Sequence, residues 1–134
     1  MKRKMLLLFF AGAVLLFATM SYSHHSLAAT YNSTAEIKLE GKLVQFVFRN
    51  PHSFVHLETR NANGEAERWA VEWTGVAALT RSGVQGDTLK PGDQVVITAR
   101  PSRISGEARA LMLSLWRPSD NFKWGGGRQG EVVD

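Results

Sequence analysis

The chain carries four histidines in two short segments, His24-His25 and His52 with His56, and none in the 78 residues that follow. That grouping suits a nitrogen-ligated metal. If an exported form begins at His24, its free α-amine and imidazole can chelate one Cu(II), and a further histidine completes a T-shaped nitrogen set. Tetragonal nitrogen ligation suits Cu(II), and the Irving–Williams order places copper above the other divalent ions. His52 and His56 are four residues apart, so on a regular strand they share a face but lie about 13 Å from each other. One of them, rather than both, is expected to join the amino-terminal pair. The candidate metal ligands are therefore His24, His25, His52 and His56, with copper as the candidate cofactor. A plainer alternative makes His24-His25 a solvated arm and His52 a turn residue packed on Phe54. The chain has no Cys, so zinc would need a histidine-only site.

Other constellations carry less. Glu58 and Glu72 are the residue types of an acid/base pair, but strand alternation places Glu72 opposite Trp69 and Trp73, on an outer face expected to be solvated. Ser53, His56 and Glu72 are the types of a hydrolase triad without a nucleophile elbow. Gly125–Gly130 is followed by neither a helix nor a Lys-Ser/Thr pair, which excludes a phosphate loop. Phe46, Phe48, Phe54, Trp69 and Trp73 with Arg49, Arg60 and Arg68 could form a stacking face, although most of these aromatics alternate inward toward a core. No catalytic residue is nominated, and no motif marks the chain as an enzyme.

The amino-terminal segment places these residues in a compartment. Lys2, Arg3 and Lys4 precede an apolar run over Met5–Ala18, and Ser21-Tyr22-Ser23 offers small residues for cleavage after Ser23. This is the pattern of a cleavable signal peptide over residues 1–23. Its apolar run is shorter than the ~20 residues a spanning helix needs, so no membrane span is expected after cleavage. A periplasmic or secreted protein follows. The 134 residues have 16 Lys+Arg against 12 Asp+Glu and a pI near 9.8. Three of those basic residues leave with the signal, so 13 face 12 in the remainder, and the basic surface a nucleic-acid partner requires is absent. The expected partners are a metal ion or an envelope protein; which residues bind a small ligand is left open.

The elements that must position the histidines are strands. Glu36–Asn50 alternates, then changes face midway, which implies a bulge or bend that Gly41 permits. Ser53–Thr59 follows with Val55 and Leu57 inward, and His52, Phe54 and His56 on the other face. Asn61–Gly64 is a hairpin loop, and Arg68–Trp73 alternates again. Thr74 is placed to cap a short helix over Gly75–Ser82. Lys90–Asp93 fits a type II turn into Gln94–Arg100. The last strand, Ala108–Arg117, carries Leu111, Leu113 and Leu115 on one face. The fold class expected is all-β with one short helix, a small five-stranded OB-like barrel over residues 24–118. A Gly-rich flexible tail is expected over residues 119–134.

Four segments of this chain resemble one family. They are His24-His25-Ser26-Leu27-Ala28-Ala29-Thr30-Tyr31, Asn50-Pro51-His52, Trp69-Ala70-Val71-Glu72 and Leu89-Lys90-Pro91-Gly92-Asp93. In this order and spacing they resemble the Domain of Unknown Function 6152 family, small exported proteins of Gram-negative bacteria. The resemblance runs from Ser23 to Leu115. The chain departs from the pattern at Leu27, where an aromatic is common, and in its tail with Trp116 and Trp124. The resemblance implies an exported OB-like domain and no particular activity.

Overall fold

The structure is a computed structural model that describes residues 27–126. Residues 27–30 are helical and belong to the unit Met1–Thr30; the second unit, Tyr31–Asp134, holds every strand described below. Its order is β1 (Ile37–Val47), β2 (Phe54–Arg60), β3 (Ala66–Glu72), α1 (Val76–Arg81), β4 (Gln94–Pro101), β5 (Arg109–Arg117) and β6 (Phe122–Gly125). The sheet runs β3-β2-β1-β4-β5-β6, and β3 also pairs with β5. That one parallel pairing closes five strands into a barrel, leaving β6 outside the ring on β5. The small five-stranded OB-like barrel expected from the sequence is the observed fold, with one strand added.

Strand β1 serves two neighbours because it bends. Its first half pairs with β4 and its second half with β2, and the register to β2 slips between Leu43 and Gln45. Val44 is thus the bulged residue, and the inward phase passes from Leu39 and Leu43 to Phe46. Gly41 lies where β2 passes closest. A Cβ there would stand 2.2 Å from the Glu58 carbonyl oxygen, so only glycine permits the approach. The bulge and the glycine are both present, at separate positions.

Alternation fills the interior with Val55, Leu57, Val71, Val95, Ile97 and Leu115, all nearly inaccessible. Helix α1 closes one end with Leu79. Its first free N–H, that of Val76, is capped by the Asn50 side chain at 3.0 Å, not by Thr74. Strand β5 departs from the expected face. Its register to β4 slips opposite Thr98 and Ala99, which changes the phase at Leu113 and buries Ala110 and Met112 in place of Leu111 and Leu113.

The tail expected to be flexible from residue 119 is ordered in its first part. Phe122–Gly125 pairs with Ser114–Arg117, and Trp124 is 6% exposed. The Trp124 ring meets Trp73 edge-on at 4.8 Å, and its indole N–H donates to Ser82 Oγ at 3.0 Å. Gly125 has φ of 71°, and a Cβ there would lie 2.3 Å from the Leu113 carbonyl oxygen. That glycine belongs to a close strand contact rather than to a loose linker. Residues beyond 126 lie outside the described part of the chain.

Candidate functional site

Three of the four segments that carry the family resemblance end at a single cluster. Tyr31, His52 and Glu72 close those segments, and Arg109 at the start of β5 joins them. Alternation sends Glu72 to the outer face with Ala70, yet it is only 4% exposed. The Tyr31 hydroxyl donates to Glu72 Oε2, Arg109 Nη2 donates to the same oxygen at 2.8 Å, and His52 Nδ1 bonds Oε1. Arg109 Nε also donates to the Tyr31 hydroxyl oxygen at 2.9 Å. The solvated Glu72 expected from the sequence is therefore corrected: partners distant in the chain cover it.

The charges in this cluster follow from its bonds. Burial alone would raise the Glu72 carboxyl, but donation from Tyr31, Arg109 and His52 outweighs it and holds the group below the usual carboxylate range. Burial, then the bond and charge of Glu72, push the Tyr31 phenol well above its ordinary value. Glu72 also holds the Arg109 guanidinium above its ordinary value. An ionised carboxylate bonded by a phenol and a guanidinium that both stay protonated is a charge clamp between β3 and β5. Glu58 is far from it in register, opposite Arg68, whereas Glu72 is opposite Phe54. The Ser53 hydroxyl is bonded to the Arg49 backbone, and His52 rather than His56 meets Glu72, so no hydrolase triad forms.

Beside the clamp the sheet face opens into a groove. Gln45, His56, Ala70 and Arg109 stand in one register row across four strands; Val47, Phe54, Glu72 and Leu111 stand in the next. The small Ala70 leaves a notch between His56 and Arg109. The resulting groove, of about 350 Å³, is lined by Val47, Arg49, Phe54, His56, Ala70 and Arg109. Phe54 carries the Arg49 guanidinium at 5.6 Å and that of Arg109 at 5.9 Å from its ring centre, and the His56 ring stacks at 6.3 Å. Burial first, then Arg68 and Arg49, lower the His56 pKa from its ordinary 6.5, so the ring is neutral at neutral pH.

The two described ligand candidates, His52 and His56, have different neighbours. His52 is held by Glu72, His56 lies in the groove, and His24 and His25 lie outside the described residues. It is His56, not His52, that packs on Phe54. Among the described residues, no three of His, Cys, Asp or Glu are gathered as a metal site. Sequence spacing singles out neither Tyr31 nor Arg109. Their only sequence signal was that Tyr31 ends a segment carrying the resemblance; nothing local distinguishes Arg109 from the other arginines.

Comparison with known proteins adds a family and a distant likeness. A family model described as a family of unknown function (DUF6152) matches residues 13–112. No curated protein matches the chain. Among solved structures, a mitochondrial single-stranded DNA-binding protein of S. cerevisiae superposes with a TM-score of 0.44 at 7% identity, covering 60% of this chain and 90% of its own. No helix among the described residues is long and apolar enough to cross a membrane.

Proposed function

The chain belongs to DUF6152, a family of unknown function, and from the geometry of its open face we propose that it is an exported, metal-free module holding a small ligand in the groove over Ala70. The groove carries this reading: an apolar floor of Val47, Phe54 and Ala70 meets two guanidiniums and a neutral imidazole. Such a mix of apolar lining with a few convergent polar groups is what small-molecule sites use. The Glu72 clamp supports the reading because it fixes one wall, Arg109, before any ligand arrives. Export is supported by the basic start, the short apolar run and the small residues before His24.

The test begins with the full chain, expressed so that any processing occurs, and the start of the exported form established by intact mass. Thermal melting then follows a panel of small acids, amines, sugars and dipeptides. At least one class is expected to raise Tm saturably in the wild type but not in Ala70→Trp, which fills the notch. No shift from any class, or an equal shift in Ala70→Trp, refutes the reading.

A second reading keeps Cu(II), on one observation. Glu72 engages Nδ1 of His52, which leaves Nε2 as the nitrogen for a metal, the carboxylate–imidazole arrangement common around ligating histidines. His24 would supply its imidazole and α-amine, with His25 or His56 as the other candidate ligands. Intact mass with and without added Cu(II) tests it. One retained copper that His52→Ala abolishes supports this reading. A mature start beyond His25, or no copper retained, ends it.

A further inference from the structure

We infer that the groove over Ala70 selects a carboxylate borne on a flat apolar body, such as an aromatic or unsaturated acid. The inference rests on the groove being the ligand site and names the chemistry it takes.

Charge is the first argument. Among the described residues Arg49 has no carboxylate within 4 Å, and its guanidinium is held only over the Phe54 ring. Arg109 spends Nε and Nη2 on Tyr31 and Glu72, and its Nη1 makes neither bond. Glu72 offsets one of these two cations, so Arg49, Arg109 and Glu72 leave a net positive charge at the groove, to which Arg68, close enough to act on His56, adds. An anion offsets it. The planar guanidinium fork matches a carboxylate bidentately.

Shape is the second argument. The surfaces facing the groove are flat or small: the Phe54 ring, the His56 ring stacked on it at an interplanar angle of 18°, and the Ala70 methyl. A neutral His56 offers a π-face and one ring N–H, without a second fixed cation. A flat ligand laid over Ala70 covers apolar surface while its carboxylate reaches Arg49. A tetrahedral anion such as phosphate satisfies the guanidiniums but leaves that floor uncovered.

Benzoate is the probe, followed by amide shift mapping on the isotopically labelled exported protein, with benzamide, benzylamine and inorganic phosphate as comparators. About nine heavy atoms at the efficiency of ordinary ligands give a Kd on the order of 10 mM. Benzoate is expected to shift the amides of Phe54, His56, Ala70 and Arg109 saturably. Arg49→Gln, at an exposed position outside the clamp, is expected to weaken it about five- to tenfold with Tm unchanged. Benzamide binding as tightly as benzoate, or phosphate binding tighter, overturns the ligand class while leaving the groove as a small-molecule site. Silence from all four probes, with a Tm-raising class found in the wider panel, also overturns the class alone. Silence in both experiments overturns the groove itself.

Discussion

Replacing Glu72 by Gln keeps its shape and removes its charge, and so measures the clamp. The carboxylate accepts from three side chains: Tyr31, which is 1% exposed, Arg109 and His52. A hydrogen bond to a charged group is worth about 1 kcal/mol more than a neutral one. The Arg109 and His52 side chains are 38% and 31% exposed, so water compensates them in part and their share is discounted. An amide oxygen can still accept from Tyr31 and Arg109, and His52 can switch tautomer. The loss therefore comes to about 2 kcal/mol for Glu72→Gln, and about 4 kcal/mol for Glu72→Leu, which strands the buried phenol. At 4–8 °C per kcal/mol for a domain of this size, Glu72→Gln lowers Tm by about 10–15 °C. The pH dependence adds a second constraint. The folded carboxyl lies below its ordinary 4.5, so its contribution is complete above that pH and is lost as pH falls through the folded value. Asp120, lowered by Arg117, titrates in the same region but is present in both proteins and cancels. Urea unfolding of wild type and Glu72→Gln should show a gap at pH 7 that narrows as pH falls below about 4.5. A gap under about 0.5 kcal/mol at pH 7, or one that does not narrow in acid, would falsify the clamp as described.

Three further outcomes follow from the barrel. Gly41→Ala drives a methyl into the Glu58 carbonyl and should cost more than about 2 kcal/mol, read by urea unfolding; a neutral result would mean that β1 and β2 are farther apart at this point. Trp124→Ala removes a side chain packed on Trp73 and should cost about 3 kcal/mol, whereas a change within error would place Phe122–Gly125 outside the barrel's cooperative unit. The His56 imidazole should titrate below 6.5 by NMR and move upward in Arg68→Gln, because Arg68 is the leading charge disfavouring its protonated form; an unmoved titration in that variant would contradict this.

Period-two alternation is local, and it determined much on its own. Val55 and Leu57, Trp69 and Val71, and Val95 and Ile97 were each assigned a shared face from spacing alone, since successive side chains on a strand must point to opposite sides. Breaks in that pattern were legible too: the parity change in β1 required a bulge, and one sits at Val44. The phase of β5 was not legible, because its slip is set by pairing with β4 and leaves no trace among the alternating leucines Leu111, Leu113 and Leu115. Nor was the order of Phe122–Gly125, where Gly125 resembles a linker until the Leu113 carbonyl is seen against it.

The site divides the same way. The two histidine segments and the outward parity of Phe54, His56 and Glu72 were all written in the residues. Whether an outward Glu72 meets water or a phenol and a guanidinium depends on Tyr31, 41 positions earlier, and Arg109, 37 positions later. Only closure of β3 onto β5 brings Arg109 level with Ala70, and so makes both the buried carboxylate and the groove beside it. Spacing along a chain decides which way a side chain points; what it then meets depends on strands brought together by closing the barrel.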